Sequence, residues 1–256
     1  MIIALNRLTV FSGHWGDKMP SANQVEIDGP SKPQTHGLGA DLHSLLLEIQ
    51  GLNVSRLSSL HRRGTILISE GEPVRGIYLL RSGRASISIS SSEGRVVILR
   101  LAKPGDVLGL NAVLNSKSYD TTVKTLEPCR TVFSSSADLL ELMQRSESGA
   151  RTIMKLLSQE LTQLTDRARL LLLPQTVGGR LARLLLEWCK TPDGTNAATA
   201  RIDRVFTQEE IAQMICTSRE TVARLMAALN RREVIQVSSA SIFIRDCAAL
   251  EAMALD

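Results

Sequence analysis

Apolar positions follow two different periods in two regions of the chain. Between residues 64 and 133 they come in short runs rich in β-branched residues: GIYLLRSG, RASISIS and RVVILRLAKPGD. Part of this pattern alternates, with Ile87 and Ile89 set between Ser86, Ser88 and Ser90. A period of two is that of a strand with one face covered. Gly71, Gly83, Gly94 and Gly105 punctuate the runs at steps of roughly eleven residues, the spacing of short strands joined by tight turns. A small barrel or sandwich is expected here.

From about Ala137 to about Leu173 the period becomes helical, with a break expected near Ser146–Gly149. Met154, Leu157, Leu161, Leu164, Ala168 and Leu171 recur at alternating steps of three and four, which is the seam of a coiled coil. This predicts a helix that pairs with a second copy; the alternative is an amphipathic helix lying on its own domain. Ile153 and Leu156 fall off the seam and are expected to face the barrel. Pro174 ends or kinks this helix. VGGRLARLLLEWCK predicts another amphipathic helix, and TPDGTNAATA reads as a loop. Residues 1–40 show no periodicity after the first few positions and read as a flexible tail, with Met19 a second candidate start.

The segment FTQEEIAQMICTSRETVARLMAALNRREVI carries the most specific pattern. Thr207 stands three residues before Glu210, a capping box, and Ile211 and Ile215 mark the helical face that follows. Ala212 is small where a second helix must cross closely. Thr217 or Ser218 can cap that second helix, whose buried stripe is Val222, Leu225, Met226 and Leu229. Two short helices around a tight turn make a helix-turn-helix, and VIQVSSASIFIRD adds a β-hairpin wing. The face opposite the stripe presents Arg219, Glu220 and Arg224. Each arginine can offer two parallel donors to guanine O6 and N7, and Glu220 can accept from the cytosine N4 amine. Thr217, Ser218 and the free N–H groups of the helix start suit a phosphate, and Thr207 joins this DNA-binding set. The alternative is a solvated charged face.

Composition narrows the class without naming a partner. The chain has 256 residues and a formal charge of +4. Residues 41–137 hold twelve Lys/Arg against eight Asp/Glu, whereas residues 174–256 hold ten of each. Gross charge therefore does not mark the helix-turn-helix as the DNA-binding part. Cys129, Cys189, Cys216 and Cys247 are scattered, with no metal-ligand spacing, so no metal site is expected. No apolar run is long enough to span a membrane, and the N-terminus is a poor signal peptide, so a cytoplasmic protein is expected. No catalytic constellation stands out, and an enzyme is not expected.

SRETVARLMAALNRREVI resembles the recognition helix of the Crp/Fnr family of bacterial transcription regulators, above all its cyclic-AMP receptor branch. EGEPVRGIYLLRSGRASI and KPGDVLG are similar to the family's cyclic-nucleotide-binding β-roll, and the seam from Met154 to Leu171 is similar to its dimer helix. The resemblance covers residues from about 60 to 245. It implies an α+β chain: a tail over 1–40, a cyclic-nucleotide-binding-like β-roll sensor over 41–137, a dimerisation helix over 138–173 and a winged helix-turn-helix over 174–256. It also implies a homodimer on a palindromic operator of double-stranded DNA, with RNA polymerase as a further partner. In that branch the residues matching Arg219, Glu220 and Arg224 read a TGTGA-like half-site.

Two departures from the family pattern bear on function. Cys216 occupies the turn position that is usually glycine, and a positive φ there costs an L-residue roughly 1 kcal/mol. The expected effector pocket would be built from Gly109, Leu110, Asn111, Tyr119, Asp120 and Thr121, with Thr165 and Asp166 from the long helix. Where the family carries a glutamate for the ribose, this chain has Gly109-Leu110-Asn111. Where the family carries Arg-Ser/Thr-Ala for the cyclic phosphate, it has Tyr119-Asp120-Thr121. No cofactor is therefore expected, and cyclic-AMP dependence is not. Arg81, Arg84 and Arg100 are the candidates for a compensating cation. A ligand-sensing module whose helix-turn-helix binds protein is the competing reading.

Overall fold

The computed structural model describes Asp41, Ser44 and residues 58–255, apart from 116–117, 174–175, 190–198, 204–205 and 239–240. The expected tail over 1–40 and Pro174 lie outside the described residues.

Eight strands form the N-terminal roll: β1 (Ser58–His61), β2 (Ile66–Ile68), β3 (Gly76–Ser82), β4 (Ala85–Ser90), β5 (Val96–Ala102), β6 (Val107–Leu108), β7 (Thr122–Thr125) and β8 (Cys129–Ser135). They make two four-stranded antiparallel sheets in the orders β1-β8-β3-β6 and β2-β7-β4-β5. Strand β3 shows the period of two directly. Ile77 and Leu79 pack toward the helices, while Leu80 and Tyr78 face the interior between the sheets. Strand β4 departs from it. Ser86 and Ser88 are buried as well as Ile87, and their hydroxyls donate to the carbonyls of Lys124 and Thr122 across the ladder. A short helix, α1 (Leu110–Asn115), follows β6.

The long helical region divides into α2 (Ser136–Arg145) and α3 (Glu147–Leu172). Ser146 makes the break: it ends α2 and caps α3, its hydroxyl accepting from the Gly149 N–H at 3.0 Å. Gly149 permits the tight elbow, since a Cβ there would stand 2.7 Å from Leu142 Cγ. Helix α2 packs on the roll through Leu139 and Leu142, and α3 does so through Ile153 and Leu156, the two positions off the seam. The seam itself divides. Met154, Leu161, Leu164 and Ala168 are exposed, whereas Leu157 and Leu171 are half-buried against the two domain cores.

The C-terminal domain contains α4 (Val177–Trp188), β9 (Ala200–Asp203), α5 (Gln208–Met214), α6 (Arg219–Arg231), β10 (Ile235–Val237), β11 (Ser241–Ile244) and α7 (Cys247–Leu255). The expected hairpin is β10–β11, and β9 adds a third strand beside β11. Leu181, Leu185, Met214, Ile215, Val222 and Leu229 are at the centre of this domain's core. That core reaches the roll, because Ile98 of β5 and Leu126 are buried in the same cluster.

Polar contacts fix the same junction. The Arg167 guanidinium of α3 donates to the Ile98 carbonyl at 2.7 Å and to the Met214 carbonyl at the end of α5. Arg63, in the turn after β1, forms an ion pair with Glu210 of α5. No helix among the described residues is long and apolar enough to cross a membrane.

Candidate nucleic-acid interface

The helix-turn-helix is assembled by local bonds. Thr207 caps α5: its hydroxyl accepts from the Glu210 N–H at 3.1 Å, and the Glu210 carboxylate accepts from the Thr207 N–H at 2.6 Å. This is the expected capping box, with both orphan donors satisfied. Of the two candidate caps for α6 it is Ser218 that serves, accepting from the Thr221 N–H at 3.2 Å. The turn between them closes through the Thr217 N–H donating to the Ala212 carbonyl at 3.0 Å. Cys216 takes φ 53, the left-handed conformation that glycine adopts more easily. Ala212 is buried in the core to which both α5 and α6 contribute.

Helix α6 has two distinct faces. Val222, Met226 and Leu229 are buried, Leu225 is half-buried, and Arg219, Glu220 and Arg224 are exposed. The Glu220 carboxyl is held below the ordinary carboxylate range, first by the backbone N–H at the helix start and then by the Ser218 hydroxyl. It is therefore an acceptor at neutral pH, as a contact to the cytosine amine needs. Arg224 is steadied by Thr221, whose hydroxyl accepts from its Nη2 at 3.3 Å. The wing is tied to the same helix, with the Val237 N–H donating to Asn230 Oδ1 at 3.1 Å. Glu233, the second non-glycine residue at positive φ (60°), makes the reversal between α6 and the wing. Its β-hairpin partner was legible from alternation, but this turn carried no glycine to announce it.

The eight expected pocket residues differ in their surroundings. Tyr119 is buried in the roll, where its hydroxyl donates to the Gly76 carbonyl at 2.7 Å and accepts from the Gly76 and Arg75 N–H groups. Gly109 has φ 81, and a Cβ there would meet Tyr119 Cε1 at 3.0 Å. Leu110 is buried in the core beneath α2 and α3. Asn111 donates to Asp120 at 2.6 Å, and Thr121 donates to the same carboxylate. On α3, Thr165 is exposed and bonds back to the Leu161 carbonyl, while Asp166 pairs with Arg169.

A cavity of about 200 Å³ does open between α3 and the β5–β6 turn, but of those eight only Leu110 lines it. Its polar wall is Arg100, Lys103, Asp106, Gln159, Glu160 and Gln163. Arg100, one of the three candidate compensating cations, lies 2.8 Å from Asp106 and 3.7 Å from Glu160. Burial pushes the Glu160 carboxyl up, and Arg100 pulls it back down. Arg84, another candidate, pairs with Glu127 and lies 6.0 Å from the centre of the Phe206 ring. Tyr119, the residue expected at the phosphate position, is consumed by its own hydrogen bonds, and its neighbour Asp120 is an acceptor for Asn111. Among the described residues no cluster of metal-ligating side chains occurs.

Comparison with known proteins agrees with this architecture. The model of the cyclic nucleotide-binding domain matches residues 60–146, and that of the Crp-like helix-turn-helix domain matches residues 179–253. The CRP-like cAMP-activated global transcriptional regulator of Mycobacterium tuberculosis is 25% identical over 205 residues, covering 77% of this chain and 91% of the relative. The anaerobic regulatory protein of Bacillus subtilis is 26% identical over 211 residues, covering 81% and 84%. The fold is shared with FixK2 from Bradyrhizobium japonicum at a TM-score of 0.63 and 22% identity, over 77% of this chain and 96% of that one. The two matched segments fall in order on the β-roll and on the winged helix-turn-helix, and the chain belongs to the Crp/Fnr family of DNA-binding transcription regulators.

Proposed function

We propose that the chain acts in the cytoplasm as a homodimer that reads an inverted repeat of TGTGA-like half-sites, recruits or blocks RNA polymerase there, and does so without cyclic AMP. The observation that carries this reading is the exposed row of Arg219, Glu220 and Arg224 on a helix whose other face is buried. Arg219 and Arg224 each take a guanine, Glu220 takes a cytosine amine, and Thr207, Thr217 and Ser218 lie against phosphates. Support for the dimer comes from Met154, Leu161, Leu164 and Ala168, which stand exposed along one side of α3. Leu157 and Leu171 extend that line at its flanks. Support for independence from cyclic AMP comes from the closed environment of Tyr119 and the lack of an arginine at its position. A charged phosphate buried without a cationic or well-placed partner is unfavourable.

The test is operator spacing. A two-fold dimer needs half-site centres about one helical turn apart, near 34–36 Å. TGTGA…TCACA duplexes at that spacing bind tightly, and a change of half a turn causes a large loss. Equal affinity at every spacing contradicts the dimeric reading.

A further inference from the structure

The positive charge of this chain sits away from the helix that reads bases. Residues 41–137 carry twelve Lys/Arg against eight Asp/Glu, and residues 174–256 carry ten of each. Affinity for a duplex comes largely from phosphates neutralised by cations, and in the C-terminal segment an equal number of carboxylates offsets the cations. The structure brings part of the roll's positive charge against the helix-turn-helix at the turn between β1 and β2. There Arg63 Nη2 lies 3.2 and 3.3 Å from the two carboxylate oxygens of Glu210. Glu210 belongs to α5, the first helix of the motif, and in such motifs that helix crosses the DNA backbone.

Two further cations flank this contact. Arg62 is the preceding residue and is exposed. Lys124 of β7 is exposed, and its Cε lies 4.0 Å from where a Cβ on Gly64 would stand. Among the described residues neither has an ion-pair partner. The turn that holds them is well braced. The Gly64 N–H donates to the Thr125 carbonyl at 2.8 Å, and the Thr65 and Thr125 hydroxyls both donate to the Arg62 carbonyl. The shared core at Ile98 and Leu126, with the Arg167 bonds, fixes α5 against the same domain.

We propose that the turn between β1 and β2, with Lys124, is a second DNA-contacting surface. Arg63 neutralises Glu210, whose charge would repel the duplex, and Arg62 and Lys124 contact backbone phosphates flanking the half-site. This rests on α6 reading DNA. The partner is the sugar-phosphate backbone of the same duplex, so these contacts add affinity without sequence preference.

The experiment measures binding against salt for wild type and for Arg62→Ala/Lys124→Ala. Each phosphate contact contributes a slope of about −0.9, so losing four per dimer makes the slope shallower by about 3–4. Wild type binds a duplex extended beyond the half-sites more tightly than one ending at them, and the double variant loses that difference. Both substituted side chains are exposed, and melts followed by circular dichroism confirm an unchanged fold. Arg63→Ala weakens binding, and Glu210→Gln in the same chain restores part of it by removing the repelling charge.

A double variant with the wild-type slope and length preference overturns the second surface. Arg219→Ala gives the contrasting result, with sequence preference lost and the salt slope largely kept. If wild type shows no salt-dependent binding to any duplex, the DNA-reading proposal falls together with this one.

Discussion

Leu161 offers the sharpest perturbation of the proposed dimer, because its side chain serves little purpose in a monomer. It is 67% exposed and belongs to none of the buried clusters. Burying a whole leucine side chain stabilises by about 1.5–3 kcal/mol, so covering the exposed two-thirds is worth roughly 1–2 kcal/mol. A two-fold seam counts it twice, which makes Leu161→Ala cost about 2–4 kcal/mol of association. At 1.4 kcal/mol per tenfold, the dimer Kd rises about 30- to 700-fold. Sedimentation over a dilution series reads this directly, and Leu161→Asp, which buries two charges across one seam, leaves only monomer. The thermal transition of the monomer unit barely moves, since the residue has no core contact to lose. A Leu161→Ala chain that dimerises like wild type refutes the placement of the interface, as does a wild type that stays monomeric at high concentration.

Arg219→Ala and Arg224→Ala each cost about 1–3 kcal/mol on the specific site and relax preference at one guanine, while non-specific binding falls far less; competition assays with single-base operator variants check this. Calorimetry against cyclic AMP and cyclic GMP shows no binding at low micromolar concentration, and such binding coupled to a rise in operator affinity would overturn the reading of Tyr119 and Asp120. Cys216→Gly relieves a left-handed residue at φ 53 at a cost in unfolded-state freedom of nearly the same size, so denaturant melts show a gain of no more than about 0.6 kcal/mol, with operator binding kept. Glu160 has a folded-state pKa raised by burial from 4.5, so its contribution is present below that value and is lost as pH rises through the folded one. Glu160→Gln, which mimics the protonated form and leaves Arg100 its bond to Asp106, therefore gains in stability relative to wild type as the pH rises above 4.5 and Glu160 ionises.

The helix-turn-helix was the most legible part because its determinants are local. Thr207 and Glu210 cap each other three residues apart, and Val222, Met226 and Leu229 repeat within one helix. The wing's hairpin followed from alternation, but β9 did not, since Ala200–Asp203 is a four-residue strand that gains its ladder only from distant β11. Helix α7 lacks a polar face along CAALEAMAL, so no amphipathic stripe announced it. The break at Ser146 was legible from its serine and glycine pattern. The junction between the domains was not. Arg167 looks like any charged position on a helix, and only the tertiary packing shows its guanidinium bonding carbonyls of two other elements. The cavity beside α3 was not legible for a related reason: Arg100, Asp106 and Glu160 meet across 60 residues of chain, and no spacing rule joins them.

Selection of bound duplexes from a fully random pool tests the central claim most directly. The wild-type chain should enrich a two-fold symmetric motif, with half-sites about one helical turn apart and guanines at the positions that Arg219→Ala and Arg224→Ala then cease to prefer. A pool that shows no enrichment, a lone half-site without its inverted copy, or a motif unchanged in both arginine variants would contradict a dimer reading bases through α6.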